Sequence, residues 1–514
     1  MLMLNKNISG RFLLIFLTIM SLFFVFLINL DSLPRTWFDE GWVLSTARNW
    51  VEFGYYGKMR NAEPASGHML NVGLPAIVPI ALSFKFFGIG FWQGRLPSAI
   101  SGIFCLILIF FLAERLYNKP VAIASGIVLL FGAASSDIHP LFMARLAMGE
   151  IYTVLFLILG YYFLFSPKLS YFYSFISGLF FALASATKMQ AAPFTFTALL
   201  TPFLILFFIQ KYRLSKLFFI SLISFIGILI CLIVFQNILQ SSNNIEFNPS
   251  DLLSTTAMVF SKNSRISSLK FFLLTAIPSS IAQLRTVFNF SLLEKRIKIE
   301  KIQDAVQLSI SVFVLSWFLW YLFLSIGWAR YLFVPIFLSS MAISSMFYNL
   351  TDGYRFFKIF KRVYALIRPA SKIKDVKAYN FILIATIIIP MSILSLKNIY
   401  FLYSNSSDTS PEEVCYFINN YSKNNALIET YEMELHFLLN RPYHYPPDQI
   451  QLDLNRKRFM GQNVIIDYDP LKNNPDYLIT GPMSKMWGLY ESEKILRNFE
   501  ILKKIGPYTV FKKI

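Results

Sequence analysis

Cysteine is nearly absent: three residues in 514. Cys105 and Cys231 sit inside apolar runs and Cys415 near the C-terminus, so no disulfide framework can form. The four histidines (His68, His139, His436 and His444) are scattered, and no Cys/His group has metal-ligand spacing. Charge is also scarce. Asp, Glu, Lys and Arg make up 15% of the chain, where soluble globular proteins carry about 25%. Acids are the rarer sign, 29 against 47 Lys and Arg. There is no glycine-rich phosphate loop, internal repeat or low-complexity stretch, which removes the common nucleotide-binding loop and the repeat architectures.

What is abundant is apolar. Hydrophobic residues make up 55% of the chain, aromatic residues 17%, with 54 Phe, and the mean hydropathy is +0.53. Apolar runs near the roughly 20 residues that cross a bilayer recur along the first four-fifths, which makes this a polytopic membrane protein. The net charge of +18 concentrates in loops between spans. It points to topology and anionic lipid headgroups, not nucleic acid.

The first span runs from Phe12 to Leu30. Lys6 and Arg11 precede it and no small-residue cleavage motif follows, so it is expected to be retained, leading from inside to outside. Asp39 and Glu40 then emerge outside. Glu40 to Phe53 has apolar or aromatic residues at Trp42, Val43, Ala47, Trp50 and Val51, with Asp39 as N-cap and Gly54 as stop. It is expected to be an amphipathic helix on the outer leaflet, with Trp42 and Trp50 at headgroup depth. Asn71 to Gly88 carries Pro75 and Pro79, and Lys85 near its end. Counting it as a span would put every later basic loop on the wrong side, so it is expected to dip into the outer leaflet and return.

Further spans are expected at about 95–113, 120–136, 147–165, 171–186, 193–210, 216–238, 268–290, 305–325, 331–348 and 379–403. The total is about 11–13, and Pro278 and Arg285 interrupt the span at 268–290. The loops assigned inside are basic, and the largest runs from Arg355 to Lys377. Residues 404–514 are polar and nearly charge-balanced, with a helix-like Glu412 to Tyr421. Two β-like runs follow, Asn463-Val464-Ile465-Ile466 and Tyr477-Leu478-Ile479-Thr480. The fold class is therefore mainly α: residues 1–403 form a membrane-embedded helix bundle, and 404–514 a small extracytoplasmic α/β domain.

Outer span ends should be poor in cations, yet Arg145, Lys188 and Arg330 sit there. Ionisable groups at the bilayer edge mark function, and clustered Arg and Lys suit a lipid-linked phosphate. The plain alternative is snorkelling at helix ends. Glu150 follows Arg145 by a little over one turn and shares a face with it if one helix holds both. Asp39 and Glu40, beside that same surface, are candidate catalytic acids; otherwise they serve as a cap and as a dipole complement.

Several of these residues recur in order: Asp39-Glu40 after span one, Arg95-Leu96-Pro97-Ser98, Arg145 with Glu150, Thr187-Lys188, and Arg330-Tyr331-Leu332 leading to Pro335. Over about residues 10–400 the chain resembles a GT-C glycosyltransferase of the branch containing protein O-mannosyltransferases and lipid A aminoarabinose transferases. The resemblance implies a polyprenyl-phosphate sugar donor, an acceptor hydroxyl outside the membrane, and inversion at the anomeric carbon. It makes Asp39 the general base, with Glu40 and Glu150 as further acids. Lys188 and Arg330 match the family's basic positions near the donor phosphate, and Arg145 and Tyr331 are expected beside them. The Pro-Pro pair usual before the dipping segment is missing: Ser66-Gly67-His68-Met69 and a lone Leu74-Pro75 stand there. His68 and Lys85 are candidate donor or acceptor contacts. Lys188 is followed by Met189 where relatives have Gly. No motif calls for a particular cofactor, and a divalent metal is left open.

The acceptor is a lipid, a glycan or a protein, and membrane lipids are further partners. The expected location is a bacterial inner membrane, with the C-terminal domain extracytoplasmic. The loop from Gln240 to Lys262 is a candidate lid. A transporter or flippase would need midplane charges and repeated halves, and a mere anchor would leave the three outer cations without a role.

Overall fold

The computed structural model describes residues 20–65, 72–165, 170–240, 258–291, 299, 301–367, 376–404 and 407–514. Among the described residues, six helices are long and apolar enough to cross a membrane: Phe91–Leu116, Met189–Phe208, Tyr212–Gln240, Ile302–Phe323, Ala329–Leu350 and Val376–Ser404. Four apolar helices are shorter: Leu74–Phe87, Lys119–Phe131, Gly149–Leu164 and Tyr171–Thr187. Together they make a multi-pass membrane bundle around one apolar core.

Sequence chemistry accounts for the breaks. Pro278 opens the second half of a broken span, Lys262–Thr275 followed by Ile277–Asn289, bent by 77°. Proline lacks the N–H that would continue the first helix. The segment expected to dip forms Leu74–Phe87, with Pro75 in its first turn, where proline is tolerated. At 14 residues it is about 21 Å long, short of a bilayer. The backbone N–H of Gly73 donates to the Thr187 carbonyl (2.9 Å), and that of Leu74 to Gln236 Oε1 (3.1 Å), so its start is tied to the end of Tyr171–Thr187.

The C-terminal unit is a five-stranded mixed sheet with helices. Strand order is Tyr443–His444, Ile428–Thr430, Tyr477–Thr480, Tyr508–Lys513, Phe499–Ile505. The first three are parallel and the last two antiparallel. Tyr477–Thr480 is a strand as its composition suggested, but Asn463 to Ile466 is irregular chain.

The helix Phe38–Phe53 ends at Gly54 in the left-handed conformation (φ 67°), as expected, but Trp37 is its N-cap and Asp39 lies in its first turn. It does not lay its aromatic face on lipid. Phe38 and Trp42 are buried in the core of the C-terminal unit. Trp42 packs against Tyr445 and His436, with ring centroids 5.3 and 6.1 Å away, and Phe38 against Tyr431 at 5.1 Å. A Cβ on Gly41 would lie 2.2 Å from the Met433 carbonyl carbon, so only glycine permits this approach. Arg48 completes the grip: Nη1 donates to the carbonyls of Phe437 (3.1 Å) and Leu439 (2.6 Å), and Nη2 to Asn440 Oδ1 (2.9 Å). Trp50 packs on Tyr56 at 5.1 Å.

Candidate active site

Asp39 and Glu40 point to different places. Glu40 is fully buried. Its carboxylate takes two parallel bonds from Arg95, Nε to Oε1 at 2.8 Å and Nη2 to Oε2 at 2.7 Å, and a third from the Ala147 backbone N–H at 2.8 Å. Arg95, equally buried, spends Nη1 on the carbonyls of Leu30, Asp31 and Pro34. This fork-on-fork pair joins the Phe38–Phe53 helix, the first loop and Phe91–Leu116. Glu40 was expected to be a catalytic acid; its oxygens are instead enclosed by these partners.

Asp39, one residue earlier, keeps a partly open carboxylate. Its Oδ2 accepts from the Trp37 indole N–H at 3.3 Å and pairs with Arg330 Nη1. Arg330 sits in the 3-10 turn Ala329–Leu332 that opens the helix Phe333–Leu350. The rings of Trp328 and Tyr331 flank its guanidinium, with centroids 4.7 and 5.6 Å from Cζ. A second ion pair joins Lys188 to Glu150 Oε1. Lys188 follows the last turn of Tyr171–Thr187, and Glu150 lies in the first turn of Gly149–Leu164. Lys188 Nζ stands 5.5 Å from the centre of the Tyr331 ring. Tyr331 therefore lies between two cations, each paired with an acid, and Glu150 is also within electrostatic reach of Arg330. Helix ends far apart in sequence meet at one place.

Four buried polar atoms around this cluster have no hydrogen-bond partner among the described residues: Glu150 Oε2, Arg330 Nε, Gln190 Nε2 and Tyr321 Oη. Each such orphan costs about 1–3 kcal/mol, and natural proteins rarely leave several together without a ligand or water to satisfy them. Within the described residues, no three His, Cys, Asp or Glu side chains gather as a metal set.

Two charged neighbours escaped the sequence reading. Asp137, in the turn Ser136–Ile138, lies within electrostatic reach of Arg330 and Tyr321. The surrounding protein pushes its carboxyl up while Arg330 pulls it down. It is the one acid between Glu114 and Glu150, which was a usable signal. Arg265 donates to the carbonyls of Leu322 and Ser325, leaves Nε unpartnered, and faces Tyr321. Its position just after the candidate lid was the only hint.

Two expected contacts are not brought here. Arg145 is fully buried, and all its nitrogens serve backbone carbonyls of the first span's end and the loop after it. Nη1 donates to Val25 (2.9 Å) and Phe26 (3.3 Å), Nη2 to Ile28, Asn29 (3.1 Å) and Leu33 (3.1 Å), and Nε to Leu33 (3.2 Å). It satisfies the orphan carbonyls of a helix end and has no donor left for phosphate. Nor do Arg145 and Glu150 share a helix: Pro140–Ala144 ends before Arg145, and the next helix starts at Gly149. Lys85 is exposed in the last turn of Leu74–Phe87, where it complements the helix dipole. His68, and nearly all of the candidate lid, lie outside the described residues.

Residues 76–239 match the family of dolichyl-phosphate-mannose-protein mannosyltransferases. That stretch holds Glu150 and Lys188 but neither Asp39 nor Arg330. A comparison with curated proteins returns no match. Among solved structures, the chain resembles ArnT from Cupriavidus metallidurans bound to undecaprenyl phosphate, at a TM-score of 0.65 and 13% identity over 98% of both chains. The apo state of that ArnT gives 0.62 at 13% identity, again over 98% of both. The archaeal oligosaccharyltransferase AglB from Archaeoglobus fulgidus, in complex with an inhibitory peptide and a dolichol-phosphate, gives 0.51 at 12% identity. That match covers 91% of this chain and 69% of AglB. The chain therefore shares the fold of these proteins. The likeness to ArnT spans the C-terminal unit as well as the bundle.

Proposed function

We propose that this chain transfers a sugar from a polyprenyl-phosphate-linked donor to an acceptor hydroxyl, with inversion, on the extracytoplasmic side of a bacterial cell membrane. The observation that carries the proposal is the pair of acid–cation contacts on either side of Tyr331, at the ends of membrane helices and beside unsatisfied polar atoms. The GT-C fold and the lipid phosphates bound by ArnT and AglB support it. The basic loop Arg355–Lys377 at the opposite end of the bundle supports the sidedness.

Lys188 and Arg330 grip the donor phosphate. Phosphate departs as a stable anion, and fixed cations lower the cost of the charge it gathers. The bond from the anomeric carbon to the phosphate oxygen breaks, and its electron pair stays on phosphate. The acceptor oxygen attacks from the opposite face, and Asp39 takes its proton. Without donor, Arg330 holds Asp39; donor phosphate competes for Arg330 and releases the carboxylate to act as base. Glu150 holds Lys188 in place. Glu40 and Arg95 act as positioning residues for the helix that carries Asp39.

The test is transfer in proteoliposomes from a synthetic polyprenyl-phosphate sugar, followed by release of polyprenyl phosphate. Wild-type turnover with Asp39→Asn unchanged at equal expression would overturn the assignment of the base. No release with a panel of lipid-linked hexose and pentose donors would overturn the reaction itself.

A further inference from the structure

The turn and helix after Ala329–Leu350 stand at the end of the bundle away from Arg330. That helix has 22 residues, which separates the two ends by about 30 Å. Residues 351–377 carry eight Lys and Arg (Arg355, Lys358, Lys361, Arg362, Arg368, Lys372, Lys374, Lys377) against Asp352 and Asp375.

The helix Phe356–Ile367 divides into three sectors at about 100° per residue. Ile359 and Val363 pack on Ala378 and Phe381 at the base of Val376–Ser404. Phe356, Phe357, Phe360 and Tyr364 fall on the adjoining sector and are 47%, 74%, 57% and 61% exposed. Lys358, Lys361 and Arg362 take the remaining side. Phe360 touches Phe381 and Phe356 touches Tyr354 at the edges of this sector, with centroids 6.0 and 6.1 Å apart, yet all four rings stay largely exposed, and four neighbouring exposed aromatic rings suit a membrane better than water. Lys361 Nζ lies 4.7 Å from the centre of the Phe357 ring, its stem along the apolar sector and its charge at the boundary.

A tight turn sets this helix in place. Asp352, Gly353 and Tyr354 all have positive φ (50°, 89° and 60°). The Asp352 carboxylate then gathers Lys377 at 2.5 Å, and Lys358 and Arg362 at 3.3 Å each. The hydrogen bond from Lys377 holds the Asp352 carboxyl down at about 2. Cations from two helices are thus drawn to one patch. An apolar arc beside a basic arc, at the rim of a membrane bundle, fits acyl chains on one side and anionic headgroups on the other.

We propose that the Phe356–Ile367 helix is a binding site for anionic phospholipid headgroups on the face opposite the Asp39–Arg330 pair, with its aromatic sector in the acyl layer. A protein partner would have to bury the same rings out of the bilayer and bring acidic groups to Lys358, Lys361 and Arg362.

The experiment uses the full chain in nanodiscs of POPC alone and of POPC with POPG. Unfolding temperature is read by tryptophan fluorescence, and retained lipids by native mass spectrometry. The wild type is expected to unfold several degrees higher with POPG and to retain POPG preferentially. Lys358→Gln with Lys361→Gln and Arg362→Gln should lose most of that difference. Lys211→Gln with Arg213→Gln and Lys216→Gln, in another basic loop, should keep it. Phe357→Ser with Phe360→Ser should lower the unfolding temperature in both lipids. Equal unfolding temperatures for the wild type in the two lipids, or a full POPG effect in the first triple variant, would overturn the proposal.

Discussion

Asp39 and Glu40 are neighbours in sequence, yet one pairs with Arg330 at a partly open surface while the other is enclosed by Arg95 and the Ala147 amide. Removing charge from the two carboxylates should therefore fail in different ways. Asp39→Asn should retain a normal unfolding temperature and lose turnover by about 10²–10⁴-fold, the usual worth of a general base. Glu40→Gln leaves a buried guanidinium unpaired and should cost about 3–5 kcal/mol of stability. Measuring thermal unfolding and transfer rate on both variants separates the two roles.

Lys188 and Arg330 should be read in donor affinity. Lys188→Ala removes a charge-assisted contact worth about 1.5–3 kcal/mol, which predicts a rise of about 10–100-fold in KM for the lipid donor. Because Arg330 also holds Asp39, Arg330→Ala should raise KM and lower kcat together. Kinetics against donor concentration at fixed acceptor distinguishes the two patterns.

The contact at Gly41 predicts that any side chain there drives the C-terminal unit off the helix. Gly41→Val should expose the Phe38 and Trp42 rings and make residues 404–514 susceptible to limited proteolysis, with transfer lost although Asp39 is intact. A protected C-terminal unit in that variant would show that the backbones can separate without undocking.

Glu434 gives a dependence on pH. It is buried, Tyr508 donates to its Oε1 at 2.8 Å, and Oε2 has no partner among the described residues. Burial, reinforced by Glu432, pushes its carboxyl up to about 8 from an ordinary 4.5. Between those values the folded state binds a proton that the unfolded state has released. Stability of the C-terminal unit should therefore be greatest below about pH 4.5, fall as pH rises, and level off above about 8. Glu434→Gln should flatten that slope, and hydrogen exchange of the Tyr508–Lys513 strand at several pH values would measure it.

The polar cluster was partly legible because a cation at an outer span end breaks a simple expectation. Lys188 and Arg330 stood out in this way, and they lie together with the acids Glu150 and Asp39. Arg145 broke the same rule for a different reason. A helix end facing the membrane has carbonyls to satisfy, and a buried guanidinium serves them as well as it would serve phosphate; the charge pattern is identical in both cases. Trp42 and Phe38 show the same limit in apolar terms. Helical spacing announces that a face is covered, not what covers it, and the cover here is a sheet nearly 400 residues further along the chain. Asn463 to Ile466 was apolar enough for a strand but lies outside the sheet, where no neighbouring strand pairs with it. Pro278 was read as an interruption, and the 77° bend is its outcome.

The clasp of the C-terminal unit on Phe38–Phe53 has a consequence for biosynthesis. Residue 39 leaves the ribosome nearly 400 residues ahead of the strands that seat its helix, and contacts this distant in sequence form late. A half-made chain already in the membrane would carry Asp39 on an unsupported segment and could not turn over donor. The strands of the C-terminal unit thus act as a check that this part of the chain has been made before Asp39 is seated.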